Sequence, residues 1–229
     1  MATDGAKGKL HFEDDFQRRA IDTTNVWYSN SDTGGTAFAI NVQHNGVIRG
    51  GVDTSDNDIT NLFSDPMWRP DDGGPLTLEI RAKPVTSVAD GETYIGFSDA
   101  TTDENPITLS ATDVQTSNAS DAAGFAYTGA GTADWKRVAV ENATSRTPSR
   151  CNVKGATTPA VGTWQVFKVV INEDGHADFY INGIFQGRIA DAVTPTVLLN
   201  AAVAVQSGGT ARSLDVDYVE VWAGRRTTA

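Results

Sequence analysis

Carboxylates are the residues of this chain best placed to do chemistry. It has 29 Asp and Glu against 18 Lys and Arg, for a formal net charge of −11. A retaining glycoside hydrolysis needs two carboxyl groups about 5–5.5 Å apart. Acids at alternating positions of one strand share a face and would be crowded in that way. No strand of this kind is present. In Glu92-Thr93-Tyr94-Ile95-Gly96 only Glu92 is acidic, and Asp215 and Asp217 are followed by Val219 where a third acid would stand. The sequence therefore predicts a protein that is not an enzyme.

Other chemistries have less support. Asp53, Asp56 and Asp58 crowd one polar loop, and Asp99, Asp103 and Glu104 a second. Hard cations take several oxygen ligands, so no cofactor is required and calcium at Asp53, Asp56 and Asp58 is the only one the sequence leaves room for. Neither loop has the spacing of a known calcium motif, and an ordinary solvated acidic loop is the competing reading. His11, His44 and His176 show no metal-ligand spacing, and the last two fall in or beside tight turns. The single cysteine, Cys151, excludes a disulfide framework. The sequence shows no glycine-rich loop before a helix that could cradle phosphate. The sequons at Asn118 and Asn142 are expected to stay unmodified, because no secretory signal is visible. A sugar ring needs an exposed aromatic face. Trp68, Trp135 and Tyr94 are the expected glycan platform, and a cap over one end of the fold is the competing reading for Trp68. Trp27, Trp164 and Trp222 are expected in the core or on a sheet face.

The elements that must position these residues are strands. The stretch 162–189, GTWQVFKVVINEDGHADFYINGIFQGRI, reads as a three-stranded meander. Phe167, Val169 and Ile171 share one face, as do Ala177, Phe179 and Ile181. Asp174-Gly175 and Asn182-Gly183 supply the positive φ that tight hairpins require. LTLEIRAK at 76–83 alternates Leu76, Leu78 and Ile80 with Thr77, Glu79 and Arg81. VLLNAAVAVQ at 197–206 is apolar throughout, as a central strand should be. Residues 99–121 are polar apart from Ile107 and Leu109 and predict a long excursion with one short strand. Residues 146–158 predict an irregular segment. Helical periodicity is nearly absent, and a dozen or more short strands argue an all-β sandwich.

A chain of 229 residues with 39% hydrophobic content can bury a core of its own. The reading is one domain over 10–224, a flexible arm over 1–9 and a short tail over 225–229. The acidic balance argues against nucleic acid as a partner. The chain has no apolar run of membrane-spanning length and no signal-peptide core. It is thus expected to be made in the cytoplasm and to leave only by lysis or by assembly into a particle.

The order of these pieces resembles the concanavalin A-like jelly roll of lectins, laminin-G-type modules and laminarinase-like glucanases. FEDDF at 12–16 resembles the first strand of that superfamily, LTLEIRAKP its E-x-R-x-K strand, 162–189 its tryptophan-led meander and LDVDYVEVW at 214–222 its last strand. The resemblance implies a concanavalin A-like jelly-roll sandwich of two antiparallel sheets. It also implies where an enzyme of this kind would carry its E-x-D-x-E strand, and there Glu92 stands alone. FEDDF, then AIDTTNVWYSNSDTGGTAFAINVQHNGVIRG and RSLDVDYVEVW are also similar to lectin-like sandwiches among tailed-bacteriophage virion proteins. That implies a structural protein on the virion surface, as capsid decoration, head fibre or tail appendage. Its partners would be a capsid or tail protein and other copies of itself. The alternative is a lectin-like module that attaches to host or environmental polysaccharide through a surface glycan, with a polysaccharide lyase or hydrolase behind it.

Overall fold

The structure, a computed structural model, describes residues 9–41, 46–72, 74–102, 104–131, 134–151 and 158–224. The arm expected over 1–9, apart from Lys9, and the tail over 225–229 lie outside the described residues, as do His44 and Asp103. Eighteen strands are described. They are β1 (Lys9–Asp14), β2 (Trp27–Ser31), β3 (Gly35–Ile40), β4 (Ile48–Val52), β5 (Ile59–Ser64), β6 (Leu76–Pro84), β7 (Gly91–Ser98), β8 (Ile107–Leu109), β9 (Gln115–Ser117), β10 (Ala122–Thr128), β11 (Lys136–Glu141), β12 (Thr144–Ser145), β13 (Ser149–Arg150), β14 (Gln165–Ile171), β15 (Ala177–Ile181), β16 (Ile184–Ile189), β17 (Asn200–Ser207) and β18 (Arg212–Gly224). The described residues contain no helix.

The strands make two eight-stranded antiparallel sheets. Sheet A runs β16-β15-β14-β6-β18-β4-β3, with β1 also paired to β18. Sheet B runs β12-β11-β10-β7-β17-β5-β2, with β13 also paired to β11. The predicted meander is β14-β15-β16, and its second turn takes φ 51° at Asn182 and φ 76° at Gly183. Two positive φ values in succession give the turn whose twist matches the flanking strands, which explains Asn-Gly there. Asn182 Oδ1 also accepts from Val166 N at 2.8 Å, tying the turn back to β14.

The core lies between the sheets. Leu76, Leu78, Ile80 and Ala82 of β6 face Ile95 and Phe97 of β7, with Phe125, Phe167 and Phe179 among them. Phe125 meets Phe179 edge to face at 5.5 Å, and Trp135 meets Phe167 in the same way at 4.7 Å. Such contacts add to what area burial alone contributes.

The last strand breaks phase once. Leu214 and Val216 point inward, a bulge at Asp217 inserts one residue, and Val219 and Val221 resume the inward face. A bulge of this kind re-aims the residues after it, and here it sets Asp217 and Tyr218 among the polar groups of sheet A's outer face.

Residues 99–121 hold two short strands where one was expected. β8 and β9 pair as a hairpin separate from both large sheets. The segment read as irregular over 146–158 contributes the short β13, and residues 152–157 lie outside the described ones.

Candidate functional site

Two outer faces remain, one on each sheet, and alternation decides what each presents. Strand registers map the outer face of sheet B as four rows. The first is Ile59–Gln206–Glu92–Thr128, and the second is Asn61–Ala204–Tyr94–Ala126–Lys136. The third is Phe63–Ala202–Gly96–Gly124–Val138, and the fourth is Asn200–Ser98–Ala122–Val140. Glu92 is the only carboxylate in these rows.

The middle of this floor is built from small residues. A Cβ on Gly96 would stand 2.4 Å from Gly124 Cα and 2.9 Å from Tyr94 Oη. The absent side chains leave room for the Tyr94 ring to lie along the floor, with its hydroxyl donating to Phe97 O at 2.6 Å. The β8–β9 hairpin lies on top. Ile107 and Leu109 are buried in a second apolar cluster with Tyr94, Phe63, Ala126, Val138 and Ala204. Asn200 Nδ2 donates to Ala100 O and Asn61 Nδ2 to Thr102 O, which fastens the chain leading to the hairpin. Asp99 Oδ1 accepts from Ser120 N and Asp121 N, closing its base. The excursion read from sequence as polar is thus a lid whose few apolar residues fill the face.

One end of the face stays open. A recess of about 230 Å³ is lined by Asp56, Asn57, Glu92, Ser110, Thr128 and Gln206, among others. Burial raises the Glu92 carboxyl from 4.5 to about 7, although the Leu109 amide and the Arg212 guanidinium pull it down. Glu92 Oε2 and Gln206 Oε1 are both buried without a hydrogen-bond partner. They belong to directly opposed residues on β7 and β17. A protonated Glu92 can donate to that amide oxygen, so the neutral form suits the site. One such carboxyl can give or take a proton. The other carboxylate at the recess, Asp56, is exposed in the loop after β4.

The expected glycan platform is corrected. Trp68, Trp135 and Tyr94 are buried, at 5%, 1% and 0% exposure. Trp68 bridges to Leu199 through backbone hydrogen bonds and packs beside Phe12, so the loop that carries it caps the sandwich. Trp135 Nε1 donates to Gln165 Oε1 at 2.9 Å deep between the sheets. None of the three offers a ring face to a sugar.

The expected calcium trio is also rearranged. Asp53 and Asp58 converge over Gly34, where a Cβ would stand 1.9 Å from Asp58 Oδ2 and 2.6 Å from Asp53 Oδ1. Asp58 is pushed up first by burial and then by the charges of Asp53 and Asp32. Its Oδ2 is buried without a partner. Asp56 instead lines the Glu92 recess, so Asp32 takes the place in the cluster that was expected of Asp56.

The outer face of sheet A is a grid of paired charges. The Arg49 guanidinium donates to both Asp215 oxygens, at 2.6 and 3.0 Å, and Lys83 Nζ lies 3.3 Å from the same carboxylate. Arg81 pairs with Asp217. Lys168 pairs with Glu79, which also accepts from the Tyr218 hydroxyl at 2.9 Å. Asp215 and Asp217 are therefore both held in ion pairs. Trp164 lies 4.6 Å from both Arg81 and Lys83, and Trp222 lies 5.4 Å from Lys168. Strand position left these two rings to the core or a sheet face, and nothing in the sequence signalled the cations over them.

These features define a fold class, a β-sandwich of two antiparallel sheets. No protein-family profile matches the sequence, and no curated protein matches it. Solved structures do. The carbohydrate recognition domain of Emp47p is similar over 96% of this chain and 98% of its own, at 12% identity and a TM-score of 0.61. A Bacillus licheniformis β-glucanase is similar over 92% and 97%, at 13% identity and a TM-score of 0.63. The catalytic domain of an endo-1,3-β-glucanase (laminarinase) from Thermotoga petrophila is similar over 95% and 98%, at 11% identity and a TM-score of 0.61. Likeness at such identities shows the fold: a jelly-roll sandwich shared by carbohydrate-binding proteins and hydrolytic enzymes.

Proposed function

We propose that this chain is a non-catalytic structural protein of a tailed-bacteriophage virion. It would sit on the virion surface as a capsid decoration, head fibre or tail appendage, beside a capsid or tail protein and other copies of itself. The observation that supports the non-catalytic half is the filled outer face of sheet B. The middle of its floor is alanine and glycine around Tyr94, its roof is the Ile107–Leu109 strand, and Glu92 has no second carboxylate in its rows. Two-carboxylate hydrolysis would need a second acid in those rows. The virion half rests on the sequence likeness of FEDDF, the segment after it and RSLDVDYVEVW. Two measurements test the reading. Incubation with a polysaccharide panel should release neither reducing ends nor unsaturated products, and an antibody against the chain should label intact particles in electron microscopy. Product formation refutes the first half, and a monomer never found on particles refutes the second.

A glycan-binding role is the second reading, favoured by one pair of rings. Tyr180 and Phe185 meet at 5.4 Å on the outer face of sheet A, Phe185 is 47% exposed, and the Arg188–Asp178 pair lies beside them. Calcium under this reading would use Asp53 and Asp58. A glycan array silent with and without calcium sinks it.

A further inference from the structure

Among the described strands β1 pairs only with β18, and that junction carries a charge arrangement that neither strand explains. Glu13 stands directly opposite Glu220, and Glu220 directly opposite Glu79 on β6. Three carboxylates therefore share one row across three strands, where like charges in register destabilise pairing. Glu79 is answered by Lys168 and Tyr218. Glu220 accepts from His11 Nε2 at 2.7 Å. Glu13 has no cationic partner among the described residues. Beside it opens a recess of about 260 Å³ lined by Glu13, Asp15, Gln17, Asp217, Tyr218 and Glu220, which gathers further negative charge.

His11 is two residues before Glu13, so both side chains lie on the same face of β1. One nitrogen of His11 and one oxygen each of Glu13 and Glu220 all lie within 4.8 Å of one another. The His11 ring is set by stacking on Trp222, with centroids 5.7 Å apart and planes 12° apart. Tetrahedral zinc takes nitrogen and oxygen ligands at about 2.0–2.2 Å, which places ligand atoms roughly 3.4 Å apart. An ion would have to draw the three atoms from within 4.8 Å to that spacing. One imidazole and two carboxylates fit a borderline ion such as zinc, and the imidazole disfavours calcium and magnesium.

We propose that His11, Glu13 and Glu220 bind a divalent transition metal, zinc fitting best, and that the ion clips the first strand of the sandwich to the last. The fourth coordination position faces solvent and takes water or a donor from a neighbouring molecule. The ion also replaces the missing counter-charge of Glu13.

The test uses the full chain after chelator treatment, titrated with zinc chloride against a chromogenic zinc indicator. One zinc per chain is expected, with affinity falling at least tenfold in His11→Ala and in Glu13→Gln. Calcium should not compete. Because His11 and Glu13 are exposed, both variants should fold, and circular dichroism checks it. Hydrogen exchange gives an independent readout: zinc should slow exchange in residues 9–14 of the parent and leave the variants unchanged. His176→Ala is the control, since His176 and Asp191 are another place where zinc could lodge. No stoichiometric binding, binding unchanged by His11→Ala, or binding lost with His176→Ala would each overturn the proposal.

Discussion

Replacing Glu92 by glutamine should remove a pH dependence that the folded protein owes to one carboxyl. The folded value is raised from 4.5 to about 7, with burial the first cause. In the unfolded chain the carboxyl returns to its ordinary value. Between these values the unfolded chain releases a proton that the folded chain keeps. The contribution to stability is therefore fully present below about pH 4.5 and lost as pH rises through about 7. At about 1.36 kcal/mol per pH unit, the loss across the window is about 3 kcal/mol. The amide of the Glu92→Gln variant keeps the shape, can donate to Gln206 Oε1 and cannot ionise. The variant should lie within about 0.5 kcal/mol of the parent at pH 4.5 and exceed its stability by up to about 3 kcal/mol at pH 8. Urea unfolding followed by tryptophan fluorescence, run on both proteins from pH 4.5 to 8.5, reads the difference directly, because the other titrating groups are common to both. A difference that stays constant across the window refutes the account of Glu92 as a carboxyl kept neutral by its burial under the hairpin.

Two further outcomes follow from the same packing. Leu109→Ala should cost about 2–3 kcal/mol, the lower part of the range for a buried leucine because the hairpin covers a sheet face outside the main core. It should also concentrate protease cleavage and hydrogen exchange in residues 99–121, and cleavage spread evenly over the chain would contradict the lid. Cys151 is fully buried, with its thiol pushed up to about 12 mainly by that burial. A thiol reagent at pH 8 should therefore label it only after unfolding, and rapid labelling of the native protein would contradict that burial.

The scaffold was legible because its signals are local. Alternation in LTLEIRAK, the apolar run ending in AVAVQ and the Asp-Gly and Asn-Gly turns each state a face or a bend within a few residues. The order of the pieces then implied two antiparallel sheets. Even the bulge at Asp217 leaves a trace, since Val216 and Val219 are three apart where strict alternation allows two or four.

Burial of particular side chains was not legible, because it depends on what another segment lays over them. Trp68 and Trp135 sit in polar surroundings along the chain, and only folding brings them against Leu199 and Phe167. Tyr94 has the alternation of an outward residue and does point outward, yet Ile107 and Leu109, more than ten residues later, cover it. Asp56 belongs to the same loop as Asp53 and Asp58, but backbone direction sends it toward Glu92, while Asp32 arrives from another strand end. His11 and Glu220 are 209 residues apart and hydrogen-bonded. Strands and the all-β class follow from residue order, since alternation and turn chemistry act between neighbours, and the resemblance of those pieces in order implied the two-sheet jelly roll. Which face is filled, which carboxyl is raised and which distant side chains meet were settled only by folding, because those depend on contacts between segments far apart in the chain.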